Sequence, residues 1–307
     1  MTTMKIPITV VINTFNSAKT LRLSLESIKD AQQIVIVDMH SSDDTRKIAS
    51  EYTKEIYLHP PTGYVEPARN FAIEKANQDW ILVLDSDEEV PPSLLQELNC
   101  IAITKQKDPE KSFEHVFIPR KNMIFGVWLQ HAGWWPDNQL RFFKKGTVIW
   151  QNEIHSVPIA RGHGFTLSAQ ESNAIVHHHY TSVSQWIQRM DRYTSIQADE
   201  LIKKGYTYSL ADNLNKPFSE FLRRFFAWEG YKDGVIGLNI ALLQALSELV
   251  VYLKVRELQP QVKTVSQTEF TKQLRLFIKS SNKELQHWLL KANFASKFKK
   301  IINKILN

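Results

Sequence analysis

The 307-residue sequence predicts an α/β fold in which a doubly wound, mostly parallel sheet is followed by a helical C-terminal region. Two observations predict this class. Over the first 100 residues, short apolar runs alternate with helical patterns at the spacing of strand–helix–strand units. From residue 183 onward the apolar residues recur at helical spacing. The single cysteine, Cys100, excludes a disulfide framework and a cysteine-based zinc site, and it fits a reducing compartment.

Four apolar runs predict the first four strands. Residues 80–84 are apolar without a break, which is typical of a strand buried on both faces of a parallel sheet. The other runs are residues 8–12, 34–37 and 55–58. Helices are predicted around residues 21–28, through 48 to about 51, from about 65 to 76, and after the prolines at 91 and 92. This alternation predicts parallel strands with helical crossovers.

Polar residues follow three of these strands at the point where each strand ends. Thr14 and Asn16 follow the first strand, Asp38 follows the second, and Asp85 and Asp87 follow the fourth. Ligands of open α/β sheets bind beyond the carboxyl ends of the strands, and Mg²⁺ or Mn²⁺ prefers carboxylate and phosphate oxygens. The pattern therefore predicts a divalent-cation site. The alternatives are a solvated acidic turn at residues 85–89 and an ordinary turn-capping role for Asp38.

Four short motifs extend this prediction to a known family. They are T-F-N at 14–16, V-D at 37–38 followed by S-S-D-D-T, A-R-N at 68–70, and L-D-S-D at 84–87. In this order and spacing, the first 90 residues resemble the family 2 glycosyltransferases of the GT-A fold. The resemblance implies a GT-A-type sheet and an inverting transferase that uses a nucleotide-diphosphate sugar. Neither a Walker loop nor a G-x-G-x-x-G motif is present.

The resemblance also implies roles for individual residues. The nucleotide-sugar contacts would come from Thr14, Asn16, Asp38, Arg69 and Asp85. Asp38 would be the partner of a uracil ring, which implies a UDP-sugar donor, and Arg69 would lie near the diphosphate. Asp85 and Asp87 would hold Mg²⁺ or Mn²⁺.

An aromatic loop in the second half is a candidate acceptor site. Trp128, Trp134 and Trp135 lie close together in sequence with Gly126, Gly133 and Pro136 between or beside them. Exposed aromatic rings on such a loop stack on the apolar faces of sugars, so Trp134 and Trp135 are candidate acceptor contacts. The alternative is a tryptophan cluster buried under a long loop.

The segment after this loop resembles one subgroup of the family. Residues 140–143 and 148–150 are predicted to form a hairpin. The segment resembles the lipopolysaccharide core β-1,4-glucosyltransferases, in which an arginine-containing strand and a turn precede a His-Glu pair. Arg141 and His155 match, whereas Ser156 stands where the subgroup has Glu. The resemblance implies an acceptor-side role for Arg141 and, for His155, a third metal ligand or diphosphate contact. His155 could equally be a structural residue.

Inversion at the anomeric carbon requires one carboxylate to take the proton of the attacking acceptor hydroxyl. The candidates for this base are Glu153 and Asp137, of which Glu153 is preferred. The run from His177 to Tyr180 is a second histidine site, because the subgroup has a His-Tyr at this place. Adjacent histidines on a strand point to opposite faces, so at most two of the three could share one ion.

The C-terminal third is basic and helical. Residues 201–307 contain 18 Lys and Arg against 8 Asp and Glu, whereas the first 200 residues carry a net charge of −4. Residues 235–255 are largely apolar but interrupted by polar residues, which favours a packed or interfacial helix over a transmembrane span. Residues 287–307 predict a basic amphipathic tail, suited to an anionic membrane surface or docked on its own protein.

These observations predict a glycosyltransferase domain at residues 1–182, with a nucleotide-sugar half at 1–100 and an acceptor half at 101–182, and a helical region at 183–307. The predicted activity is metal-dependent, inverting transfer of a hexose, most simply glucose, from a UDP-sugar to a lipid-linked glycan or lipopolysaccharide core. The predicted location is cytoplasmic, peripheral at the inner face of the membrane. No recognised nucleic-acid module is present. The alternatives are an inactive glycan-binding scaffold and a sugar nucleotidyltransferase.

Overall fold

The computed structural model of the chain describes residues 5–61, 66–104, 113–150, 158–262 and 265–292. These residues form two compact units. The first comprises residues 1–128 and 135–179, and the second comprises residues 129–134 and 180–307. The boundary at 179/180 lies three residues before the predicted one. The segment 129–134, which was predicted in the acceptor half, lies in the second unit, and the tail from residue 293 onward lies outside the described residues.

The first unit contains the strands and four helices. The strands are β1 (Ile6–Thr14), β2 (Ala31–Asp38), β3 (Ile56–Leu58), β4 (Trp80–Asp85), β5 (Glu88–Glu89), β6 (His115–Ile118), β7 (Arg120–Ile124), β8 (Val127–Trp128), β9 (Gln139–Lys144), β10 (Val148–Ile149), β11 (Ile159–Ala160), β12 (Gly164–Thr166) and β13 (Ile175–Tyr180). The helices are α1 (Leu21–Ser27), α2 (Thr45–Ser50), α3 (Glu66–Glu74) and α4 (Pro92–Ile103).

The main sheet of the described residues has the strand order β12-β6-β9-β4-β1-β2-β3. Strands β1 to β4 are parallel, β12 is parallel to β6, and β9 is antiparallel to both β4 and β6. The predicted α/β class, with a mostly parallel sheet and a helical C-terminal region, is confirmed. Because β9 runs against β4, the start of β9 lies at the edge of the sheet where β4 ends.

Both faces of this sheet are covered, which explains the continuous apolar runs. Alternate residues of β1 enter different cores: Ile12 packs in the cluster that includes Leu25 of α1 and Leu98 of α4, whereas Val11 packs in the cluster that includes Ala72 of α3. Full burial of one such aliphatic side chain contributes roughly 1.5–3 kcal/mol. The two cores hold the strand ends, and the polar residues that follow them, in fixed register.

The predicted hairpin of residues 140–143 with 148–150 is wrong. A turn does join the two segments, since Thr147 N donates to Lys144 O at 3.1 Å and Gly146 has φ +85°. Strand β10, however, pairs with β11 and not with β9. Both edges of β9 are already hydrogen-bonded, to β4 on one side and β6 on the other, so β10 has no edge of β9 to join.

A smaller sheet has the order β5-β13-β7-β8. Strand β5 follows β4 after the turn Ser86-Asp87, and it pairs with β13 so that Glu88 faces His177 across the ladder. His178 N donates to Asp87 O at 2.9 Å. This pairing attaches the histidine-rich strand directly to the acidic turn.

The second unit is helical, with α5 (Val183–Lys203), α6 (Leu210–Leu222), α7 (Gly234–Leu258) and α8 (Gln267–Lys291). Helix α5 begins at Val183, where the helical spacing of apolar residues in the sequence begins. The inserted segment Leu129–Trp134 is tied into this unit, because Ala132 N donates to Trp228 O at 2.7 Å and His131 Nδ1 lies 2.8 Å from Asp233 Oδ1. A Cβ on Gly133 would lie 2.5 Å from the Trp228 ring, so this close approach requires glycine.

Helix α7 carries an exposed apolar stripe. Val235 is 74% exposed, and Leu242, Leu246 and Leu253 are 42–51% exposed. The intervals of seven, four and seven residues place all four side chains on one side of the helix. Among the described residues, the stretch Gly230–Leu258 is long and apolar enough to cross a membrane, and 22% of its most apolar window is buried. We refer to Val235, Leu242, Leu246 and Leu253 as the α7 stripe.

Candidate functional site

The carboxyl edge of the main sheet brings the predicted nucleotide-sugar residues together. Strand register places Thr14 beside Asp38 and Asn13 beside Asp85. The two loops that follow β1 and β4 are also bonded, since Ser86 Oγ donates to Ser17 Oγ at 2.8 Å. The polar residues that the sequence places after separate strands therefore lie together at one edge of the sheet.

Asp38 is held by neutral donors. Thr14 Oγ1 donates to Asp38 Oδ1 at 3.0 Å, Ser41 N donates to Oδ2 at 2.9 Å, and Ser41 Oγ donates to Oδ1 at 2.5 Å. The Asp38 side chain is 0% exposed. These contacts are those of a turn-capping aspartate. Its contact with a uracil ring stays a prediction, and it would require this turn to open.

Asn16 joins the first two loops of the sheet edge. It has φ 48°, and its Oδ1 accepts from Ser42 N at 2.8 Å and from Ser42 Oγ at 3.2 Å. Asparagine tolerates this left-handed backbone conformation better than most residues. The neighbouring Phe15 is 54% exposed, so an aromatic face is available beside these loops. Sequence analysis missed Phe15, although it is the middle residue of the T-F-N motif.

Asp85 is held by two arginines. Arg69 Nη2 donates to Asp85 Oδ1 at 2.7 Å, and Arg141 Nη2 donates to Oδ2. Burial alone would raise the pKa of Asp85, but the guanidinium groups of Arg141 and Arg69 outweigh it and hold the pKa of this carboxyl well below its usual range. Asp85 is therefore ionised at neutral pH. Arg141, predicted on the acceptor side, contacts this donor-side carboxylate.

Glu88 is a member of this network that sequence analysis missed. It is 0% exposed, its Oε2 accepts from Asp85 N at 2.9 Å, and its Oε1 accepts from Arg141 Nη2 at 2.8 Å and Arg120 Nη1 at 3.3 Å. Glu88 thus fixes both the backbone of the acidic turn and the guanidinium that contacts Asp85. The pairing of β5 with β13 turns this residue inward from an acidic run that is otherwise typical of a surface.

Asp137 lies beside Arg120 at the start of β9. Its Oδ2 accepts from Arg120 Nε at 2.8 Å and Asn122 Nδ2 at 3.0 Å, and its Oδ1 accepts from Gln139 Nε2 at 2.6 Å. Burial alone would raise the pKa of Asp137, but the charge of Arg120 and these hydrogen bonds outweigh it and lower the pKa. The carboxylate is therefore ionised and ready to accept a proton, as a weak base.

Asp87 lies beside the histidines of β13. His177 Nε2 lies 3.7 Å from Asp87 Oδ1, and His177 and His179 are neighbours on one face with ring centroids 4.4 Å apart. His178 is on the other face, where its Nε2 lies 3.3 Å from Glu89 Oε2. The prediction that at most two of these histidines could share an ion is consistent with this alternation.

The carboxylates and histidines around the acidic turn are the candidate ligands of a divalent cation. Among the described residues, no group of three or more His, Cys, Asp or Glu side chains could hold a metal ion. Mg²⁺ in nucleotide-dependent sites commonly uses only one or two carboxylates together with substrate phosphates. Asp87 and His177 are the candidates for such a partial set, because Asp87 Oδ1 and His177 Nε2 lie 3.7 Å apart. Both oxygens of Asp85 are engaged by arginines, so its part in metal binding stays a prediction.

The remaining predicted residues either lie outside the described part of the chain or are divided between the two units. Glu153 and His155 fall in residues 151–157, outside the described part of the chain. Trp135 packs edge-on against Trp128 at 5.2 Å in the first unit, whereas Trp134 packs against Trp186 at 6.5 Å in the second. All three predicted loop tryptophans are half-buried, between the exposed and buried alternatives.

Comparison with known proteins gives the family. Residues 9–165, just over half of the chain, match the family described as Glycosyl transferase family 2. An uncharacterized glycosyltransferase of Rickettsia typhi is 25% identical over 84% of this chain and 89% of its own length. The lipopolysaccharide core biosynthesis glycosyltransferase LpsC of Rhizobium meliloti is 22% identical over 82% of this chain and 92% of its own.

Among solved structures, S. aureus TarS 1–349 in complex with UDP is 14% identical, covers 84% of this chain and 93% of its own, and has a TM-score of 0.39. The family match over residues 9–165 includes the described acidic turn, the arginines that hold it and Asp137. On the strength of that match, the chain belongs to glycosyl transferase family 2 and is a glycosyltransferase.

Proposed function

We propose that the chain is a metal-dependent inverting glycosyltransferase that moves a hexose, glucose by preference, from a UDP-sugar to a glycan acceptor. The observation that carries the proposal is the turn from Asp85 to Asp87, placed at the carboxyl edge of the sheet of a family 2 chain and connected through Glu88 and Arg120 to the ionised Asp137. A donor at this edge would meet the loops of Thr14 and Asn16.

The nucleoside side of the proposal is supported by two groups of the first loop. Phe15 offers an exposed ring on which a base can stack. Asn13 Nδ2 is buried and has no hydrogen-bond partner within the described residues, and Asn13 pairs in register with Asp85. A buried donor without a partner is unfavourable, so an acceptor atom of the donor nucleotide at this point would satisfy it.

The charge balance of the network supports a requirement for a cation. Three arginines face three carboxylates: Arg69, Arg120 and Arg141 against Asp85, Glu88 and Asp137. A bound diphosphate adds negative charge to this site. The three arginines are already paired with carboxylates, so they leave that added charge uncompensated. Asp87 and His177 would hold Mg²⁺ or Mn²⁺ there. When bound, the cation supplies charge neutralisation of the leaving diphosphate. The Arg69 side chain is 13% exposed and that of Arg141 is 4% exposed. Of the two arginines that contact Asp85, Arg69 is therefore the better placed to reach a phosphate.

The proposed base is one of two carboxylates. Asp137 is ionised and held by Arg120, Asn122 and Gln139, which fixes its position. Glu153 is the other candidate and was favoured from the sequence. Inversion requires one of them to accept the hydroxyl proton while the acceptor oxygen attacks in line, a contribution of about 10²–10⁴-fold in rate.

The proposed acceptor is a lipid-linked glycan or lipopolysaccharide core sugar, reached from the inner face of an anionic cytoplasmic membrane. The similarity to LpsC, a lipopolysaccharide core biosynthesis glycosyltransferase, supports the acceptor class. The membrane is supported by the excess of Lys and Arg in residues 201–307 and by the exposed α7 stripe, which together suit a surface of anionic lipid. Trp135, beside Trp128, is the proposed sugar contact of the first unit.

Donor turnover tests the proposal. Purified protein is incubated with UDP-, GDP- and dTDP-sugars, Mn²⁺ and membrane extract, and nucleotide release is followed with and without EDTA. We expect UDP release from one sugar, lost with EDTA and in Asp87→Ala. Glu26→Ala is the matched control, because Glu26 is an exposed carboxylate of α1 paired with Lys29, and it should leave turnover unchanged.

Other outcomes would replace the proposal. Nucleotide-sugar binding without turnover of any donor would favour the glycan-binding scaffold. Formation of a nucleotide sugar from a nucleoside triphosphate and a sugar phosphate would favour the nucleotidyltransferase. The variants Asp137→Asn and Glu153→Gln identify the base. Replacement of the residue that acts as the base should lower kcat by about 10²–10⁴-fold with little change in the donor KM.

Sedimentation with lipid vesicles tests the membrane surface. We expect binding to vesicles that contain anionic lipid and weak binding to zwitterionic ones. The variant Leu246→Ser in the α7 stripe should weaken binding, whereas Leu23→Ser, at a 52% exposed leucine of the first unit, should not. Equal binding of both variants and the parent protein would exclude the stripe as the contact surface.

A further inference from the structure

Helix α8 is attached to the second unit along one side. Phe277 lies edge-on to Phe218 of α6 with ring centroids 5.7 Å apart, and Trp288 stacks on Phe226, which follows α6, at 6.3 Å. Phe277 and Trp288 lie on the same side of α8, because eleven residues correspond to about three turns of a helix. The opposite side of α8 is exposed to solvent.

The exposed side of α8 carries a row of four cations. Its members follow one another at intervals of three, four and four residues: Lys272, Arg275, Lys279 and Lys283. This spacing aligns them along the helix over about 16 Å, opposite the packed side. Lys272 Nζ lies 4.0 Å from Glu269 Oε2, and within the described residues the other three cations form no ion pair. We refer to the four cations as the α8 row.

The α8 row is an unfavourable arrangement for the protein alone. Exposed cations of other helices lie beside carboxylates, as Lys29 does beside Glu26 at the end of α1. In the α8 row, Arg275 and Lys279 are four residues apart, and so are Lys279 and Lys283. Like charges at this spacing destabilise a helix. An anionic partner along the row would relieve their repulsion.

The apolar residues beside the row favour a lipid surface over a nucleic acid as this partner. Leu276 and Leu290 are 54% and 66% exposed, and both continue the row at helical spacing. Leucines beside lysines on one exposed side suit the headgroup layer of a membrane. Proteins that bind single-stranded nucleic acids stack the bases on aromatic rings, whereas Phe277 and Trp288 lie on the packed side of α8.

We propose that the α8 row is a docking surface for the phosphate headgroups of an anionic lipid membrane, with Leu276 and Leu290 entering the headgroup layer. The inference deepens the proposed function, on which the membrane as partner rests. It assigns a charge-driven contact to α8, in addition to the apolar contact of the α7 stripe. Each Lys or Arg held at an anionic surface strengthens binding by about fivefold.

An ordinary solvated helix face is the competing explanation. On that explanation, any attraction to anionic lipid comes from the net charge of the whole chain, and the position of a removed lysine is immaterial. The comparison of two variants with the same loss of charge, one in the α8 row and one elsewhere, separates the two explanations.

Sedimentation with vesicles of phosphatidylglycerol and phosphatidylcholine makes this comparison. We expect the double variant Lys279→Gln with Lys283→Gln to bind roughly 30-fold more weakly than the parent protein. Lys47→Gln with Lys54→Gln is the matched control, because it removes two exposed lysines of the first unit, and it should bind like the parent protein. Equal affinities of the two double variants, or no binding of the parent protein, would overturn the proposal.

Thermal unfolding shows that the loss of binding is not a loss of folding. The double variant in α8 removes two like-charge pairs, so the free protein should have the same Tm as the parent protein or a higher one. The variant Lys279→Arg with Lys283→Arg keeps both charges and should keep the vesicle affinity. A loss of affinity in this charge-preserving variant would contradict a charge-driven contact.

Salt and a competing polyanion identify the partner. Raising the salt concentration from about 0.1 M to 1 M shortens the screening length from roughly 10 Å to 3 Å. Vesicle binding of the parent protein should then fall towards that of the α8 double variant, and binding insensitive to salt would overturn the proposal. A single-stranded RNA oligonucleotide that displaced the protein from the vesicles would replace the membrane with nucleic acid as the partner.

These measurements separate the docking surface from the proposed activity. None of them requires turnover of a donor, and the affinity of the α8 double variant for UDP should equal that of the parent protein. If the parent protein turns over no donor, the proposed function fails while the vesicle result is unaffected. If it turns over a donor but the α8 double variant binds vesicles as the parent protein does, the docking surface alone is overturned.

Discussion

Asp38 and Asp85 end the two strands on either side of β1, yet they are held by opposite means. Asp38 accepts from a backbone amide and from the hydroxyls of Thr14 and Ser41. Arg46 Nε lies 3.8 Å from Asp38 Oδ2, on a side chain that is 54% exposed. Asp85 accepts from the guanidinium groups of Arg69 and Arg141. One carboxylate is therefore held by neutral groups and the other by charges.

The difference distinguishes a part of the site whose contacts stay fixed from a part whose ion pairs can be exchanged for a ligand. Hydroxyl donors can turn and also accept, so they tolerate a change of charge on their partner. A buried guanidinium cannot lose its charge, so it must keep an anionic partner or exchange it for another anion such as a phosphate. On this view, the Asp38 region is scaffold and the Asp85 region responds to the donor. The following predictions test that division.

The largest effect is expected for Arg141→Met. Arg141 is 3% exposed and contacts both Asp85 and Glu88, so its removal leaves the fully buried Glu88 with only the 3.3 Å contact to Arg120 as an ion pair. Breaking a buried ion pair in this way costs about 3–5 kcal/mol in the free energy of unfolding. Urea unfolding measures it. Arg22→Met is the control, because the pair of Arg22 with Glu51 is exposed and its loss should change the free energy of unfolding far less.

The second effect is a pH dependence at Asp85. Its pKa is lowered on folding, so its stabilisation is present above the unfolded pKa near 3.8 and is lost as the pH falls through the lower folded pKa. We expect Asp85→Asn to lower the free energy of unfolding by about 1.5–3 kcal/mol at pH 7. The difference from the parent protein should shrink below about pH 3.8. Thermal unfolding from pH 3 to 7 measures it, and a difference that grew in acid would contradict the ion-pair explanation.

A smaller effect is expected for Asp38→Asn. The amide oxygen can still accept from Ser41 N, and the amide nitrogen can donate to the hydroxyls of Thr14 and Ser41 after they turn. We expect a loss of about 1 kcal/mol in the free energy of unfolding. Asp38→Ala should cost more, because it leaves Ser41 N without an acceptor. A loss for Asp38→Asn as large as that for Arg141→Met would remove the distinction between the two regions.

The smallest effect, of opposite sign, is expected for Glu248→Gln in the second unit. Burial, and then the charge of Glu220, raise the pKa of Glu248. The folded state therefore disfavours the ionised form, and stability falls as the pH rises from the unfolded pKa of 4.5. At pH 7 the variant should be more stable by about 1 kcal/mol or less, and the gain should vanish below about pH 4.5. A loss of stability at pH 7 would contradict it.

The sheet could be predicted because its signal is local. Unbroken apolar runs such as residues 80–84 mark strands covered on both faces, and the polar residues after them mark the carboxyl edge. The failure at β10 has a non-local cause, since only the tertiary arrangement shows that β9 has no edge left to pair. A hairpin is the reasonable expectation from two strands and a turn.

The arginine and asparagine members of the site could not be predicted for a related reason. Arg120 and Asn122 are alternate residues of β7, and no motif surrounds them in the sequence. They reach Glu88 and Asp137 because β7, β13 and β5 form one small sheet. Glu88 is visible in the sequence as part of the acidic run at residues 85–89. Its inward direction depends on β13, which is about 90 residues further along the chain.

The short segment Leu129–Trp134 has a practical consequence for recombining such chains. It leaves the sheet-containing unit, is held by Trp228, Asp233 and Arg224, and returns at Trp135 just before β9. A chimera that joins the first 182 residues of this chain to the helices of a relative would pair these six residues with foreign partners. A chimera that exchanges the helical unit should therefore also exchange residues 129–134. This requires a second replaced segment, inserted within the sequence of the first unit.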